Sequence, residues 1–462
     1  MVGPKAGCGG RPECWAPERQ LRPPLDRQAL TTATTSTALS WSNLDITSGS
    51  CHSPAVREAG RGGSLTDLRR ANRRAAVTLL RLNGPLTQAE IARATGLSHA
   101  SVSNIVRDLT GEGIVATNMV TRSGRRVSEV TLNPTNGLVG GIDFGNRHVR
   151  AAVADFTHAV RAEDQHTLPL GHQASTSVPE AAAMLRELVT GIGRQLSDVQ
   201  LLAVGLPGPM ESDSGRTTSP AILPGWADFD VKSAFETSLG VRTIVDNDAN
   251  LGALAEGLWG VGRGLTDFAY IKISTGIGSG LVLNSKLYRG ISGTAGEIGH
   301  TTIEEDGPLC RCGNRGCLEV FAAAPALLEL LRRSYGSDIT VEDVLRLSDE
   351  GDIGCRRVIT DAGRHIGVAL ANLCNLLSPQ MVIVGGELAV AGDVLLAAIR
   401  ESMRRRTVSV PGQAPRVVTG VLHERAGVLG ALALALQESE DGTGDGAHAH
   451  ITKSENQYPL AG

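Results

Sequence analysis

The spacing of apolar residues predicts a short helical segment near the amino terminus, followed by a hairpin. Between 64 and 82, apolar side chains recur at helical spacing, and the chain then breaks at a Gly-Pro pair. Thr87 followed by Glu90 is typical of a capping box, so a second helix is predicted to begin there and to end at Gly96. A third helix is predicted from Ser98. Alternating residues at 114–118 and 128–132 then predict two strands around Ser123-Gly124.

From about 136 to 438 the pattern changes to alternating strands and helices, which predicts an α/β body. Two parts of this segment resemble each other, since each reads as a strand, a Gly-containing turn and a second strand. This internal similarity predicts two related lobes that face each other. The predicted strands are 139–144 with 149–155 and 268–274 with 280–283, and long helices are expected at 179–195, 249–259, 356–377 and 391–405.

The composition of the chain indicates how many domains it can form and where they begin and end. The chain has 462 residues, of which 41% are apolar and 3% aromatic, enough for about three compact units filled mainly by aliphatic side chains. Residues 1–63 and 439–462 are polar and rich in Gly, Pro or Ser, so we expect disorder there. The predicted domains are therefore 64–135 and 136–438. The longest apolar stretch, 426–436, is too short to span a membrane, and no secretory signal is evident, which favours the cytoplasm.

The charge of the first domain indicates a nucleic-acid partner. Residues 64–126 carry ten Arg and four acidic residues, a net charge of +6, so the remainder carries −10 of the total −4. The second and third helices have the spacing of a helix-turn-helix motif, and the hairpin would be its wing. A small helical subdomain with a solvated charged face is the alternative. Predicted DNA-binding residues are Ser98, His99, Ser101, Ser103, Asn104 and Arg107 on the recognition helix, and Arg122, Arg125 and Arg126 on the wing.

A cluster of cysteines points to a metal. Cys310, Cys312 and Cys317 follow His300 within a short Gly-containing segment. One imidazole and three thiolates are a typical ligand set for structural Zn²⁺, and the spacing is tight enough to close around one ion. Three reduced surface thiols beside an unrelated His are the alternative. The sequence therefore predicts a structural zinc site.

Together these motifs resemble the ROK family of repressors and sugar kinases, over residues 64–438. The resemblance rests on five motifs that occur in the family's order, with the zinc segment directly after them. It implies a two-lobed body of the hexokinase–actin, ribonuclease H-like fold, and the winged helix-turn-helix head is typical of the regulator branch. The motifs are Ile-Asp143-Phe-Gly145, Gly205-Leu-Pro-Gly-Pro209, Asp246-Asn-Asp-Ala-Asn250, Ser274-Thr-Gly-Ile-Gly-Ser-Gly280 and Gly296-Glu-Ile-Gly-His300.

The resemblance also implies a ligand site. Asp248 would be the general base toward a sugar hydroxyl in a kinase, although it could instead cap the helix that begins near Ala249. Glu319 could likewise be only a charged first-turn residue. Implied sugar-binding residues are Asn247, Asp248, Glu297, His300 and Glu319; implied nucleotide-binding residues are Asp143, Gly145, Thr275, Gly276, Gly278, Gly385 and Gly386.

The first phosphate loop departs from the kinase pattern Asp-x-Gly-Gly-Thr. Asn146 stands at the second Gly and Arg147 at the Thr, which makes a close backbone approach to phosphate harder. Arg147 could still contact phosphate. Ile222 stands where family kinases often have Asn, which removes one polar contact.

Three functions remain open from the sequence. The first is a sugar-responsive DNA-binding regulator, a repressor of carbohydrate-metabolism genes, whose body is catalytically weak. The second is an ATP-dependent sugar kinase with an accessory DNA-binding head, which would use ATP and Mg²⁺. The third is a regulator whose body only oligomerises and docks a protein. The damaged first loop disfavours the second, and the polar sugar site disfavours the third. Expected partners are operator DNA, a sugar or sugar phosphate, and a second copy in a homodimer or homotetramer.

Overall fold

The computed structural model describes residues 65–122, 125–133, 137–210, 216, 224–227, 229–408 and 414–442. The predictions of disorder at 1–63 and 443–462 lie outside these residues, and so do Ser123, Gly124 and Ile222. The predicted tail begins too early, because the last helix continues to Gly442.

The first domain has the predicted winged-helix arrangement. The capping box of Thr87 and Glu90 is present, Gly96 ends the second helix in the left-handed conformation, and Ser98 caps the third. Both wing strands extend further toward the turn than predicted, and a short strand before the second helix adds a third member to the sheet, in the order β1-β3-β2. The elements are α1 (Leu65–Asn83), β1 (Leu86–Thr87), α2 (Gln88–Thr95), α3 (His99–Gly111), β2 (Val115–Arg122) and β3 (Arg125–Leu132).

The first lobe of the body is a five-stranded sheet in the order β6-β5-β4-β7-β8. Its first three strands form antiparallel pairs, and the next two are parallel to the central strand. The elements are β4 (Leu138–Phe144), β5 (His148–Asp155), β6 (Val160–Thr167), α4 (Ala174–Gly191), β7 (Val199–Leu206), α5 (Val231–Leu239), β8 (Thr243–Asn247) and α6 (Asp248–Leu258).

The second lobe repeats this topology in a sheet ordered β11-β10-β9-β12-β13, with the same antiparallel and parallel pairs. The predicted relation between the lobes is therefore confirmed. Its elements are β9 (Phe268–Ile273), β10 (Ile277–Leu283), β11 (Lys286–Tyr288), α7 (Glu319–Ala322), α8 (Ala324–Tyr335), α9 (Val341–Asp349), α10 (Ile353–Leu377), β12 (Met381–Gly385), α11 (Asp393–Arg404) and β13 (Arg416–Thr419). The last helix, α12 (Ala426–Gly442), packs on the sheet of the first lobe.

Helices α6 and α12 pack against each other very closely. A Cβ atom on Gly430 would lie 2.0 Å from the carbonyl oxygen of Leu251, so only glycine fits at this crossing. Helix α12 also packs on β4, where Gly141 makes the corresponding room. This arrangement places the start of α6, which carries Asp248, beside both glycine-containing turns. No helix in the described ranges is long and apolar enough to cross a membrane.

Candidate functional site

The recognition helix offers fewer free side chains than the sequence suggested. The Ser98 hydroxyl accepts from the Ser101 backbone N–H, and the two hydroxyls lie 2.9 Å apart, so both serve first as a helix cap. His99, Ser103, Asn104 and Arg107 are exposed, while the apolar side of α3 is buried. These exposed side chains are the ones available to read base edges.

The wing is a hairpin that pairs Arg122 with Arg125 at its end. The side chains of these two residues lie outside the described set, whereas Arg126 is exposed. The backbone therefore brings the basic residues of the wing together at one tip, as the sequence predicted.

The predicted zinc ligands converge. Ligand atoms of His300, Cys310, Cys312 and Cys317 all lie within 4.8 Å of one another. The Cys312 and Cys317 sulfurs are 3.6 Å apart, and the Cys310 sulfur is 3.7 Å from His300 Nδ1. Tetrahedral Zn²⁺ with Zn–S bonds of about 2.3 Å spaces its sulfurs by roughly 3.7 Å. The residues thus fit the ion, and Nδ1 is the ring nitrogen on the thiol side.

The zinc segment is connected to the cleft by an ion pair that the sequence analysis missed. Arg311, between two cysteines, donates to Glu319 at 2.7 Å, and the Ile277 backbone N–H donates to the same carboxylate oxygen at 3.3 Å. Glu319 is buried in the first turn of α7. It is therefore held by both the zinc segment and the second glycine-containing turn.

The proposed cap role of Asp248 is wrong. Helix α6 begins one residue earlier than expected, and Asn247 is its N-cap, accepting from the backbone N–H groups of Ala249 and Asn250. The Asn247 amide also donates to the Gly208 carbonyl at 2.8 Å. Both ends of this amide are therefore engaged within the protein, which limits what Asn247 can offer a sugar.

Glu297 completes a set of three acidic side chains with Asp248 and Glu319. Burial raises the pKa of Glu297 to about 7, and the negative charges of Asp248 and Glu319 act in the same direction, against Arg311. Such mutual influence requires the carboxyl groups to lie close together. The three side chains thus form an acidic cluster, and groups of this kind can accept hydrogen bonds from hydroxyls.

The first phosphate loop is filled by its own side chains. The His148 ring covers Gly145, where a Cβ atom would lie only 2.2 Å from it, and its Nε2 is 3.7 Å from Asp143. Asn146 donates across the cleft to the Thr275 hydroxyl. Burial opposes the charge of Asp143, but His148 and Lys272 hold its pKa below the usual value. These contacts fill the space around the first glycine-containing turn.

The second loop keeps its glycines, but not all of them line the turn. Gly276 lies beneath Glu319 and Arg311. Gly278 lies in β10, which begins at Ile277, and packs against Ala249 of α6, so its nucleotide contact stays a prediction. Gly385 ends β12 against Tyr270, and Gly386 has a positive φ of 82°. Both serve close packing in the structure.

Two further charged pairs were not found from the sequence. Lys272 of β9 bonds Asp248 at 2.7 Å, and Arg289 bonds Asp246 through two nitrogens at 2.6 and 2.9 Å. The alternation of side chains along β9 predicts which face of the sheet carries Lys272, but no nearby residue in the sequence indicates its partner on α6. Pairs that join elements far apart in sequence leave no local signal.

The fold and this site define a winged-helix regulator with a sugar-kinase-like body. The ROK family model matches residues 139–438, and a MarR family model matches residues 67–126. The chain belongs to the ROK family. It is 30% identical to a putative xylose repressor of Caldicellulosiruptor over 76% of this chain and 92% of the relative. It is 29% identical to the Escherichia coli dual regulator NagC over 80% of this chain and 94% of the relative.

Solved structures of other proteins have a similar fold. A ROK family transcriptional regulator, described as a homologue of the E. coli MLC protein, has a TM-score of 0.70 at 23% identity and covers 81% of this chain and 97% of its own. A ROK glucokinase from Streptomyces griseus, solved with glucose and AMPPNP, has a TM-score of 0.56 at 29% identity. It covers 65% of this chain and 100% of its own. The kinase thus corresponds to part of this chain, and the regulator to most of it.

Proposed function

We propose that this protein is a sugar-responsive repressor of carbohydrate-metabolism genes, with the sugar bound in the cleft of the body. The observation that carries the proposal is the combination of a winged-helix head with the acidic set of Asp248, Glu297 and Glu319. The relatives named xylose repressor and NagC support the same assignment. Identical subunits would pair their heads on a two-fold operator.

Zinc has a structural role in this proposal. The ion would be held by His300 Nδ1 and the three thiolates, which leaves Nε2 of the same ring for a ligand. Because Arg311 connects the zinc segment to Glu319, the ion would also fix one wall of the sugar site. Closure of the two lobes around a sugar would then change the position of the heads.

The test is sugar-dependent release of DNA. A duplex selected from a randomised pool by the full-length protein would be titrated with xylose, glucose and N-acetylglucosamine. One of these sugars should weaken binding roughly 5- to 150-fold in the wild type, the usual range of allosteric coupling. Glu297→Gln should lose most of this response and keep its sugar-free affinity. Glu305→Gln, at an exposed position of the zinc segment, is the control and should respond normally.

The head is tested separately. Arg126→Ala should weaken binding to all duplexes and reduce its salt dependence, as expected for a backbone contact. Asn104→Ala should change the preferred sequence, with a cost of about 1–3 kcal/mol at one base pair. If both variants bind like the wild type, the head is not the DNA-binding surface.

We propose further that the body does not transfer phosphate at a useful rate. Asp143 and Asp248 would be the metal-binding and base carboxylates of a kinase. Here His148 lies beside Asp143 and Lys272 bonds Asp248. Asn146 bonds Thr275 and so connects the two turns. Incubation with ATP, Mg²⁺ and each sugar should yield no sugar phosphate above background. A robust turnover that disappears in Asp248→Asn would establish the kinase function instead.

A further inference from the structure

The ammonium group of Lys272 lies where the chemistry of a kinase requires other cations. It bonds the Asp248 carboxylate at 2.7 Å, and that carboxylate is the group that would take the proton from a sugar hydroxyl. Asp143, near the end of β4 in the first lobe, is close enough for its charge to act on Lys272. In a kinase, the transferred phosphoryl group and its Mg²⁺ must occupy the space between these two carboxylates.

Burial disfavours the charged state of Lys272, but its two carboxylate neighbours outweigh this effect. Burial alone lowers the pKa of Lys272, but Asp248 and Asp143 more than offset this and raise the pKa above its usual value. The side chain is 25% exposed and that of Asp248 is 12% exposed, so the pair is largely shielded from water. Lys272 is thus a fixed positive charge at all physiological pH values.

From this arrangement we infer that Lys272 is a built-in cation that takes the place of the divalent metal of a kinase beside Asp248, and that the effector is an uncharged sugar. The inference rests on the proposed function and names its ligand class. Because the ammonium group is already bonded to Asp248 at 2.7 Å, a phosphate brought next to Asp248 would have to compete with that carboxylate for it and would meet its negative charge.

The charges around the cleft lead to the same ligand class. The acidic groups that act on one another here are Asp143, Asp248, Glu297 and Glu319, of which Glu297, with a pKa of about 7, is only partly ionised at neutral pH; the positive charges are those of Lys272 and Arg311. Each positive charge is already paired with a carboxylate, at 2.7 Å in both cases. An excess of negative charge repels phosphate and carboxylate groups, while paired carboxylates still accept hydrogen bonds from neutral hydroxyls.

The first arm of the experiment measures metal binding by thermal unfolding of the full-length protein. MgCl₂ at millimolar concentration is compared with NaCl of equal ionic strength, in wild type, Lys272→Gln and Lys272→Arg. We expect no Mg²⁺-specific stabilisation of the wild type or of Lys272→Arg. Lys272→Gln should unfold at a lower temperature, and Mg²⁺ should raise its Tm saturably by roughly 2–4 °C.

The second arm needs no variant. Wild-type protein is titrated with glucose, xylose and N-acetylglucosamine, and with the phosphate ester of each. We expect at least one neutral sugar to raise Tm, and its phosphate ester to have less effect. The inference is overturned if a phosphate ester stabilises more than its parent sugar, or if Mg²⁺ stabilises the wild type as much as Lys272→Gln. Should Lys272→Gln fail to fold, the wild-type measurements alone decide.

Failure of the proposed function has a different signature. If the wild type binds DNA but no sugar releases it, while Mg²⁺ stabilises only Lys272→Gln, the role of Lys272 stands and the sugar response does not. If a sugar phosphate both binds and releases DNA, the repressor function stands and the restriction to uncharged sugars is wrong.

Discussion

The two glycine-containing turns of the body occupy equivalent positions in their lobes, but different side chains lie against them. In the first lobe, the turn between β4 and β5 is covered by His148 and bears Asn146 in place of glycine. In the second lobe, the turn between β9 and β10 keeps Gly276 and lies against Glu319, which Arg311 holds. The difference shows that side chains cover the first turn, whereas the second turn lies against a buried carboxylate that is held by an arginine of the zinc segment.

The largest expected effect is the loss of zinc from the segment that holds Glu319 against the second turn through Arg311. Cys312→Ser should lose the zinc ion and lower the free energy of unfolding by several kcal/mol, on the order of 10 °C in Tm, because structural zinc contributes directly to folding. Metal analysis and thermal unfolding measure both. Cys374→Ser, which alters a buried thiol away from the cluster, is the control and should keep its zinc. Wild-type protein that contains no zinc when prepared without chelator would contradict the assignment.

A smaller effect distinguishes the two turns directly. An alanine Cβ at Gly276 would lie 2.7 Å from Glu319 Oε2 and 3.0 Å from an Arg311 nitrogen, so this ion pair must shift to admit it, although Glu319 is buried and held by the Ile277 N–H. Gly276→Ala should therefore cost about 1–3 kcal/mol. At Gly145 the obstacle is the His148 ring, which is 35% exposed and can swing toward solvent, so Gly145→Ala should cost roughly 1 kcal/mol or less.

Denaturant unfolding of the two alanine variants checks the comparison. Equal costs would mean that the two turns are equally constrained. Gly145→Ala in a His148→Ala background is the matched control, because it removes the obstacle and should leave only the ordinary effect of replacing glycine.

Local signals explain how much of this molecule could be predicted. The capping residues Thr87, Glu90 and Ser98 and the terminator Gly96 fixed the head, because each acts within a few residues of itself. The repeated strand–turn–strand pattern predicted both lobes, with strand ends shifted by a few residues. The zinc ligands were predictable because cysteine spacing is itself the signal.

The remainder depends on contacts between distant segments. Lys272 and Asp248 are 24 residues apart, and Asn146 and Thr275 are 129 apart, so no sequence period connects them. The structural partners of Asn247 and Gly278 were also missed, because α6 begins one residue earlier and β10 three residues earlier than predicted. A motif identifies the residue, but the end of the element decides what its side chain contacts.

The smallest expected effect tests the contact that joins the two turns. Asn146 donates from the first lobe to the Thr275 hydroxyl of the second, so the bond should favour the closed cleft. Asn146→Ala should cost about 0.5–1.5 kcal/mol of unfolding free energy, the usual net value of such a bond. Arg147→Ala, at the exposed neighbouring position, should stay within about 0.5 kcal/mol of the wild type. The decisive measurement is a double-mutant cycle with Thr275→Ala, in which the double variant should lose less than the sum of the single variants by about 0.5–1.5 kcal/mol. Additive losses would show that the two loops are not coupled through this bond, and that the first turn is filled without being tied to the second.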